Sequence, residues 1–558
     1  MKKSRFLAAM MTVLFAGSVF LGCSKENSKE EVKDPSVKQE EPVKEKAEQK
    51  IVYNLGADPK TIDPQLNSAV DGSTVINNAF EGLMREAENC KIVEGVAESH
   101  EVSDDEMHYT FHLRKDAKWS DGKPVVAGDF EYAWKRALNK DTAAEYAYQL
   151  YYIKNGEAFH AGKAKEEDVG VKAVDDYTLE VELESPTKYF LSLTAFPTYF
   201  PVRKDVVESA KDRWALSPDT YISNGPFKMS EWKEKESITF VKNENYWNKD
   251  AVKLETLEMR LIDDEITYLN AFKSGELDII EAPPQSELPG LLADGTAKSY
   301  VNLGTYFYAI NVSDKAKEVD SAAAEAISNP KVRKALSLAL DRQLIVDKVS
   351  QGGQKPALSY VPEGIVDSAG KNFVKNYLKP TADIEQAKKL LEEAGYPNGE
   401  GMPTLTLTFN TSQGHQNVAQ AVQDMWKKNL GINVELKNEE WAVFQDTRNN
   451  FQYIIARHGW SADYNDPMTF LDMWTTGNGQ NNIGYANPKY DEKIKAARAE
   501  LDDAKRTQIL HEAEDMLMED MPIIPVYYYN SILCVNQKVK GVIKSPLGQA
   551  NFIGAYVE

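Results

Sequence analysis

The stretch 401–460 constrains the fold more than any other. "PTLTLTFN" reads as a strand and "HQNVAQAVQDMWKKNLG" as a helix closed by Gly431. "INVELKN" is a second strand and "QYIIARHGW" a third. A strand, a crossover helix and a returning strand make part of a sheet parallel. In such sheets ligands settle beyond the carboxyl ends of strands. Asn410 and His415 fall at the end of the first strand and the start of the helix, and Arg457 at the end of the third. A binding cleft is expected where these meet.

Two aromatic stretches bracket this unit, "GTYFYAIN" (304–311) and "IPVYYYNS" (524–531). Both carry aromatics on both faces, more than a one-sided core strand requires. A lobe inserted between two returning strands gives this arrangement, with the strands as hinge crossovers; two ordinary core strands would read the same way. At 558 residues the chain exceeds what one core usually supports, so at least two lobes are expected. No repeat of 20–50 residues recurs.

Elsewhere "EMHYTFHLR" alternates, with Met107, Tyr109, Phe111 and Leu113 on one face. His108 and His112 would lie ~13 Å apart on a strand, too far to share an ion, and read as surface histidines. "WSDGKPV" is a tight turn around Asp121-Gly122. "VAGDFEYAWKRAL" has helical spacing. "SNPKVRKALSLALDRQLI" is a helix capped by Asn329, with Pro330 first and Val332, Leu336 and Leu340 as its buried stripe.

The N-terminus reads as an address. Three cations precede an uncharged run, Phe6–Leu21, short for a bilayer span but suited to a secretory signal. Residues 24–50 hold seven Lys against eight Asp or Glu and no aromatics, as a solvated tether would. The net charge of −21 would be repelled by phosphate backbones, so nucleic acid is not an expected partner.

Three cysteines, Cys23, Cys90 and Cys534, have no metal spacing, and the seven histidines are scattered. There is no G-x-S-x-G, H-E-x-x-H, P-loop or G-x-G-x-x-G opening a helix after a strand. No enzyme activity, cofactor or metal is expected, although an Asp/Glu pair hidden among 86 acids stays open.

"IIARHGWSADYNDPMTFL" (454–471) sets Arg457 and Asp463 at the mouth of one strand beside Trp460 and Tyr464. An anion and a cation close together but not paired can grip the two ends of a zwitterion. A short peptide is one, and its backbone can be met by strand addition, which tolerates many side chains. Trp460, Tyr464 and Trp441 would add apolar walls.

"GWSADYNDPMTFL" resembles the ligand motif of bacterial oligopeptide-binding proteins, the receptors of peptide ABC importers (solute-binding protein family 5). The likeness runs from about residue 51 to 540. It includes "LGADPKTIDP", "FEGL", "YTFHLRKDAKWSDGKPV", "DFEYAWKR", "NPKVRKALSLALDR", "NTSQGH", "MWKKNLGINVELKNEEW" and "VYYY". The turn and helix motifs are shared by the whole family, whereas "NTSxxH…W…ARxGWxADYN" resembles the peptide-binding branch.

The resemblance implies an α/β, two-lobed Venus-flytrap fold of the large three-domain type, with mixed sheets joined by two hinge crossover strands. It divides the chain into 51–82, 202–308 and 530–558 (lobe I), 83–201 (lobe II) and 309–529 (lobe III). It implies that Asp463 pairs with a peptide's α-ammonium. Arg457 would meet the carboxylate of short ligands, and His415, at a helix N-terminus favourable for anions, that of longer ones. Gly459, Trp460 and Ser461 of the motif, Trp441, Tyr464, Asn410, and Tyr146 and Tyr148 near the ligand's start complete the candidate ligand-binding set. Gly22-Cys23 resembles a lipobox, which would make residues 1–22 a lipoprotein signal and Cys23, with the tether to residue 50, the lipidated N-terminus.

The partners so implied are short peptides, ABC importer permease subunits and a membrane held through the lipid. A monomer is expected, outside the cell membrane of a bacterium, with the tether fitting a Gram-positive wall and a periplasmic location otherwise. Three departures stand out. Gly304 and Ser461 occupy positions where some relatives carry a cysteine pair. Ser68 replaces an acidic residue of the cleft, which would weaken a preference for basic side chains. Val126 replaces a capping threonine.

Bland alternatives remain for each residue. Asp463 could cap a helix beginning near Pro467 and Arg457 could form a structural ion pair. His415 could be merely exposed and the tryptophans could be core. A sensor of peptide pheromones or cell-wall peptides and a surface-anchored hydrolase are the competing functions.

Overall fold

The computed structural model describes residues 47–367 and 369–558. The leader, Cys23 and most of the tether lie outside the described residues. The body begins before the boundary drawn from composition. The Gln49 side chain donates to the Val557 carbonyl at 2.8 Å and accepts from its N–H at 3.1 Å.

Eleven strands form one mixed sheet. In chain order they are β1 (Lys50–Asn54), β2 (Phe227–Lys233), β3 (Ser237–Lys242), β4 (Thr256–Arg260), β5 (Ile279–Glu281), β6 (Ala297–Ile310), β7 (Lys355–Pro356), β8 (Leu405–Asn410), β9 (Val434–Glu439), β10 (Ile455–Ser461) and β11 (Ile523–Val535). Their order in space is β9-β8-β10-β6-β11-β5-β1-β4-β3-β2, with β7 paired to β11.

The parallel unit is where the pattern puts it. β8 runs parallel to β9 and to β10. The helix Gln413–Leu430 connects β8 to β9 and ends at Gly431, whose φ of 75° is the left-handed C-cap that glycine adopts without strain. Arg457 departs from expectation. It is the third residue of seven in β10, because pairing with β6 continues from Ile310–Ile455 down to Gly304–Ser461. The apolar run marks only the part of β10 that is buried on both faces.

β6 and β11, 14 and 13 residues long, extend well beyond their aromatic segments and pair antiparallel with each other. On their outer edges β6 meets β10 and β11 meets β5. The two halves of the sheet are therefore joined through these two strands, as hinge crossovers require. Their aromatics serve both faces: Tyr306 stacks on Tyr527 at 4.6 Å between centroids, and Phe307 stacks on His458 at 4.7 Å. Their ladder is irregular in two places. Asn302–Gly304 stand opposite Tyr529 alone, and Val526 is an extra residue on β11. Leu303 pairs elsewhere, its N–H donating to Pro546 and its carbonyl accepting from Ala462, so the break leaves these buried groups satisfied.

A separate antiparallel sheet has the order Ala97–Val102, His108–Leu113, Thr178–Glu182, Val171–Asp175. Tyr109, Phe111 and Leu113 are buried and His108 is exposed, as the alternation predicts. The helix Ala127–Leu138 buries Phe130, Ala133, Trp134, Ala137 and Leu138. Val126 has no oxygen to cap it; Asp129 instead accepts the Val126 N–H at 3.0 Å. Asn329 caps Pro330–Leu338 by accepting the Lys331 N–H, and Leu340 is buried two residues beyond that helix. Among the described residues no helix is long and apolar enough to cross a membrane.

Candidate ligand-binding cleft

A cavity of about 590 Å³ opens beside the crossover strands, within the range that takes small-molecule ligands. It is lined by residues from distant parts of the chain, among them Ser68–Asp71, Tyr146, Asn410, His415, Trp441, Arg457, Gly459–Ser461, Asp463 and Tyr529. Nine of the eleven candidate residues line it. Tyr148 and Tyr464 do not: Tyr148 packs on Tyr146, and Tyr464 stacks on Tyr189 at 4.7 Å.

Asp463 follows β10 and is 8% exposed. Its carboxylate accepts from the Tyr146 hydroxyl at 3.1 Å and the Gln149 amide at 2.9 Å, and its N–H donates to Thr469 Oγ1. Burial pushes its pKa well above the usual carboxylate range, against the Tyr146 hydrogen bond, and the negative charge of Asp472 adds to the rise. It is not the helix cap: Asp466 accepts the Met468 N–H at the start of Met468–Leu471. Gln149 was not foreseen. The segment Ala147–Leu150 is a 3₁₀ turn, whose three-residue period places positions 146 and 149 on one side, so Gln149 and not Tyr148 shares Asp463 with Tyr146.

Arg457 is half-buried, and among the described residues no carboxylate lies within 4 Å of it, so the ion-pair alternative falls. One guanidinium nitrogen donates to the Tyr529 hydroxyl at 2.8 Å. The guanidinium lies 5.1 Å above the Tyr306 ring, and Nε has no partner among the described residues. Arg448, missed in the sequence, is a second buried arginine on the same wall. Its pKa is pushed down to about 10 by burial and by the charge of Arg457, and its Nε also lacks a partner among the described residues.

His415 is half-buried, its ring 5.6 Å from that of Tyr306. Burial, then the charge of Arg457, holds its pKa well below the ordinary imidazole value, so it is neutral at pH 7. The helix N-terminus beside it already faces an anion: Glu265 accepts from Ser412 Oγ at 2.9 Å and from the Gly414 N–H at 3.4 Å.

The Trp441 indole donates to Asp71 at 3.1 Å across the cleft. Trp460 is 5% exposed, donates to the Thr469 carbonyl and is both core and wall. Ser461 Oγ donates to Asn302, and Asn410 Oδ1 is buried without a partner among the described residues. Acids line the cleft despite Ser68, among them Asp71, Asp263 and Glu265.

The profile of the bacterial extracellular solute-binding proteins, family 5 (middle), matches residues 91–482. The oligopeptide-binding protein OppA of Bacillus subtilis is 42% identical over 512 residues, 90% of this chain and 92% of that one. The structure of Listeria monocytogenes OppA bound to peptide superimposes with a TM-score of 0.84 at 32% identity, covering 92% of this chain and 99% of that one. The unliganded open form of the murein tripeptide binding protein MppA, at 35% identity over 91% of this chain and 97% of its own, gives only 0.63. The overall arrangement here is therefore closer to that of the peptide-bound structure than to that open one.

Proposed function

This chain belongs to family 5 of the bacterial extracellular solute-binding proteins, and from that premise we propose that it captures short peptides, largely regardless of sequence, and delivers them to the permease of an ABC importer. The observation that carries this reading is a buried carboxylate, Asp463, and a guanidinium, Arg457, that has no carboxylate partner among the described residues, both lining one cavity. A peptide's ammonium would offset the burial of Asp463, and its carboxylate would complete Arg457. Support comes from relatives: the B. subtilis protein is an oligopeptide-binding protein, and the L. monocytogenes one was solved with peptide.

In this reading Asp463 holds the ammonium, with Tyr146 beside it. Arg457 or His415 holds the carboxylate according to length, and Trp441, Trp460, Gly459, Ser461 and Asn410 wall the ligand. Lobe I is 51–82, 202–308 and 530–558, lobe II is 83–201 and lobe III is 309–529. The confinement of β8–β10 to 405–461 and of the small sheet to 97–182 supports that division. The protein acts as a monomer and as a carrier without turnover. It is held outside the membrane by a diacylglyceryl group on Cys23, two acyl chains being enough for stable anchoring.

The test is calorimetric titration of unfolded and refolded protein with tri-, tetra- and pentaalanine and their N-acetylated and C-amidated forms. Free peptides should bind and be recovered intact, and N-acetylation should abolish binding. Equal binding of blocked peptides, or none at all, would overturn the reading.

A further inference from the structure

Arg457 and Tyr529 meet at one point of the cavity wall. The Tyr529 hydroxyl accepts from the Arg457 guanidinium at 2.8 Å. Among the described residues, its own O–H donates to no group. Both residues line the cavity, and among the described residues the buried Arg457 Nε has no partner. A phenol whose oxygen is occupied by an arginine has its proton free for an acceptor, and two such donors side by side match a carboxylate.

The Tyr529 ring sits where it does because two glycines leave room for it. A Cβ on Gly304 would lie 2.7 Å from Tyr529 Cδ2, and one on Gly459 would run into the Tyr529 hydroxyl and its ring. The two glycines lie on neighbouring strands, two registers apart: Gly304 opposes Ser461 and Gly459 opposes Tyr306. Neither has a positive φ, so glycine is needed here for space and not for backbone conformation. The break in the ladder puts three residues of β6, including Gly304, opposite Tyr529 alone. Tyr306 and Tyr527 close the ring edge-on at 6.1 and 6.0 Å.

We propose that Tyr529 is a further ligand-binding residue, its hydroxyl donating to the peptide's carboxylate beside Arg457, on a seat kept clear by Gly304 and Gly459. This rests on the peptide-receptor reading above and identifies part of what recognises the free acid end.

Tyr529→Phe keeps the ring and removes only the hydroxyl; Gly459→Ala keeps the hydroxyl and displaces it. Each is titrated with trialanine and tetraalanine as free acids and as amides, after circular dichroism has shown native folding. For whichever length shows the larger acid-over-amide preference in the unaltered protein, Tyr529→Phe should shrink that preference about tenfold or more, the scale of a hydrogen bond to a charged group. Gly459→Ala should do the same. Amide affinity should be nearly unchanged in Tyr529→Phe, which a merely structural ring would not explain. An undiminished preference in Tyr529→Phe overturns the proposal while leaving the receptor reading intact. An unaltered protein that binds no peptide removes the receptor reading, and this proposal with it.

Discussion

The Gln149 amide donates to Asp463 at 2.9 Å across 314 residues of sequence. Together with Tyr146 it covers a carboxylate that would otherwise be left in a nearly dry site. Two neutral donors stabilise a carboxylate less than a cation does, and burial still holds the Asp463 pKa well above the ordinary range.

Peptide affinity should therefore depend on pH in a definite direction. If a peptide's ammonium pairs with Asp463, it favours the ionised form, so binding lowers a raised pKa and releases a proton wherever Asp463 is protonated in the free protein. Affinity should rise with pH up to the free-state pKa and level off above it, and the fall on acidification should begin at higher pH than an ordinary carboxylate would give. Calorimetry in buffers of different ionisation enthalpy measures the released proton. Asp463→Asn should abolish the slope and weaken free-peptide binding by 100-fold or more, on the scale of about 3 kcal/mol for breaking a buried charge pair.

The Trp441 indole bridges the cleft by donating to Asp71 at 3.1 Å. Trp441→Phe removes the indole donor while keeping most of the apolar surface, and the lost hydrogen bond is worth about 1 kcal/mol. The ligand-free protein should populate an open form more, seen as a larger radius of gyration in solution scattering. Peptide affinity should fall by about three- to tenfold. An unchanged radius would mean that this contact does not hold the closed form.

Glu514 is fully buried and accepts from the Tyr360 and Val361 N–H groups at 3.2 and 2.9 Å. Burial pushes its pKa up to about 8. A carboxyl raised on folding contributes stability that is complete below its unfolded pKa, near 4.5, and is lost as the pH rises through about 8. The melting temperature should accordingly drop between pH 5 and 9 in the unaltered protein. Glu514→Gln cannot ionise, and its melting temperature should vary less over that window in differential scanning calorimetry.

Much of this architecture can be read from local pattern, since the elements concerned are set by their own periodicity. The β8–helix–β9 unit, the Asn329 cap and the buried face of His108–Leu113 all follow from spacing. Asp463 and Arg457 were legible because unlike charges in an aromatic apolar stretch are hard to explain as core. The rest depends on neighbours far away in sequence. That β10 runs on past Arg457 is decided by β6, about 150 residues earlier. That the His415 helix begins against an anion is decided by Glu265, which no pattern ties to Ser412. Gln149 was obscured because a 3₁₀ turn has a different period from the strand or helix sought, and Tyr529 because it is one of three successive tyrosines. Its contacts with Arg457 and with the two glycines distinguish it.

The break between Val301 and Thr305 sets an order of events. If the two halves of the sheet swing about β6 and β11, the irregular point of their ladder is where the swing is taken up, and groups at that point travel least. Tyr529 stands opposite the break and its hydroxyl reaches past β6 to Arg457 on β10, so this end of the site would persist as the cleft opens. Tyr146 and Gln149 reach Asp463 from a different part of the fold, so that end is complete only once the cleft has shut. A peptide would then be caught by its tail first, and its head would report that the door has closed.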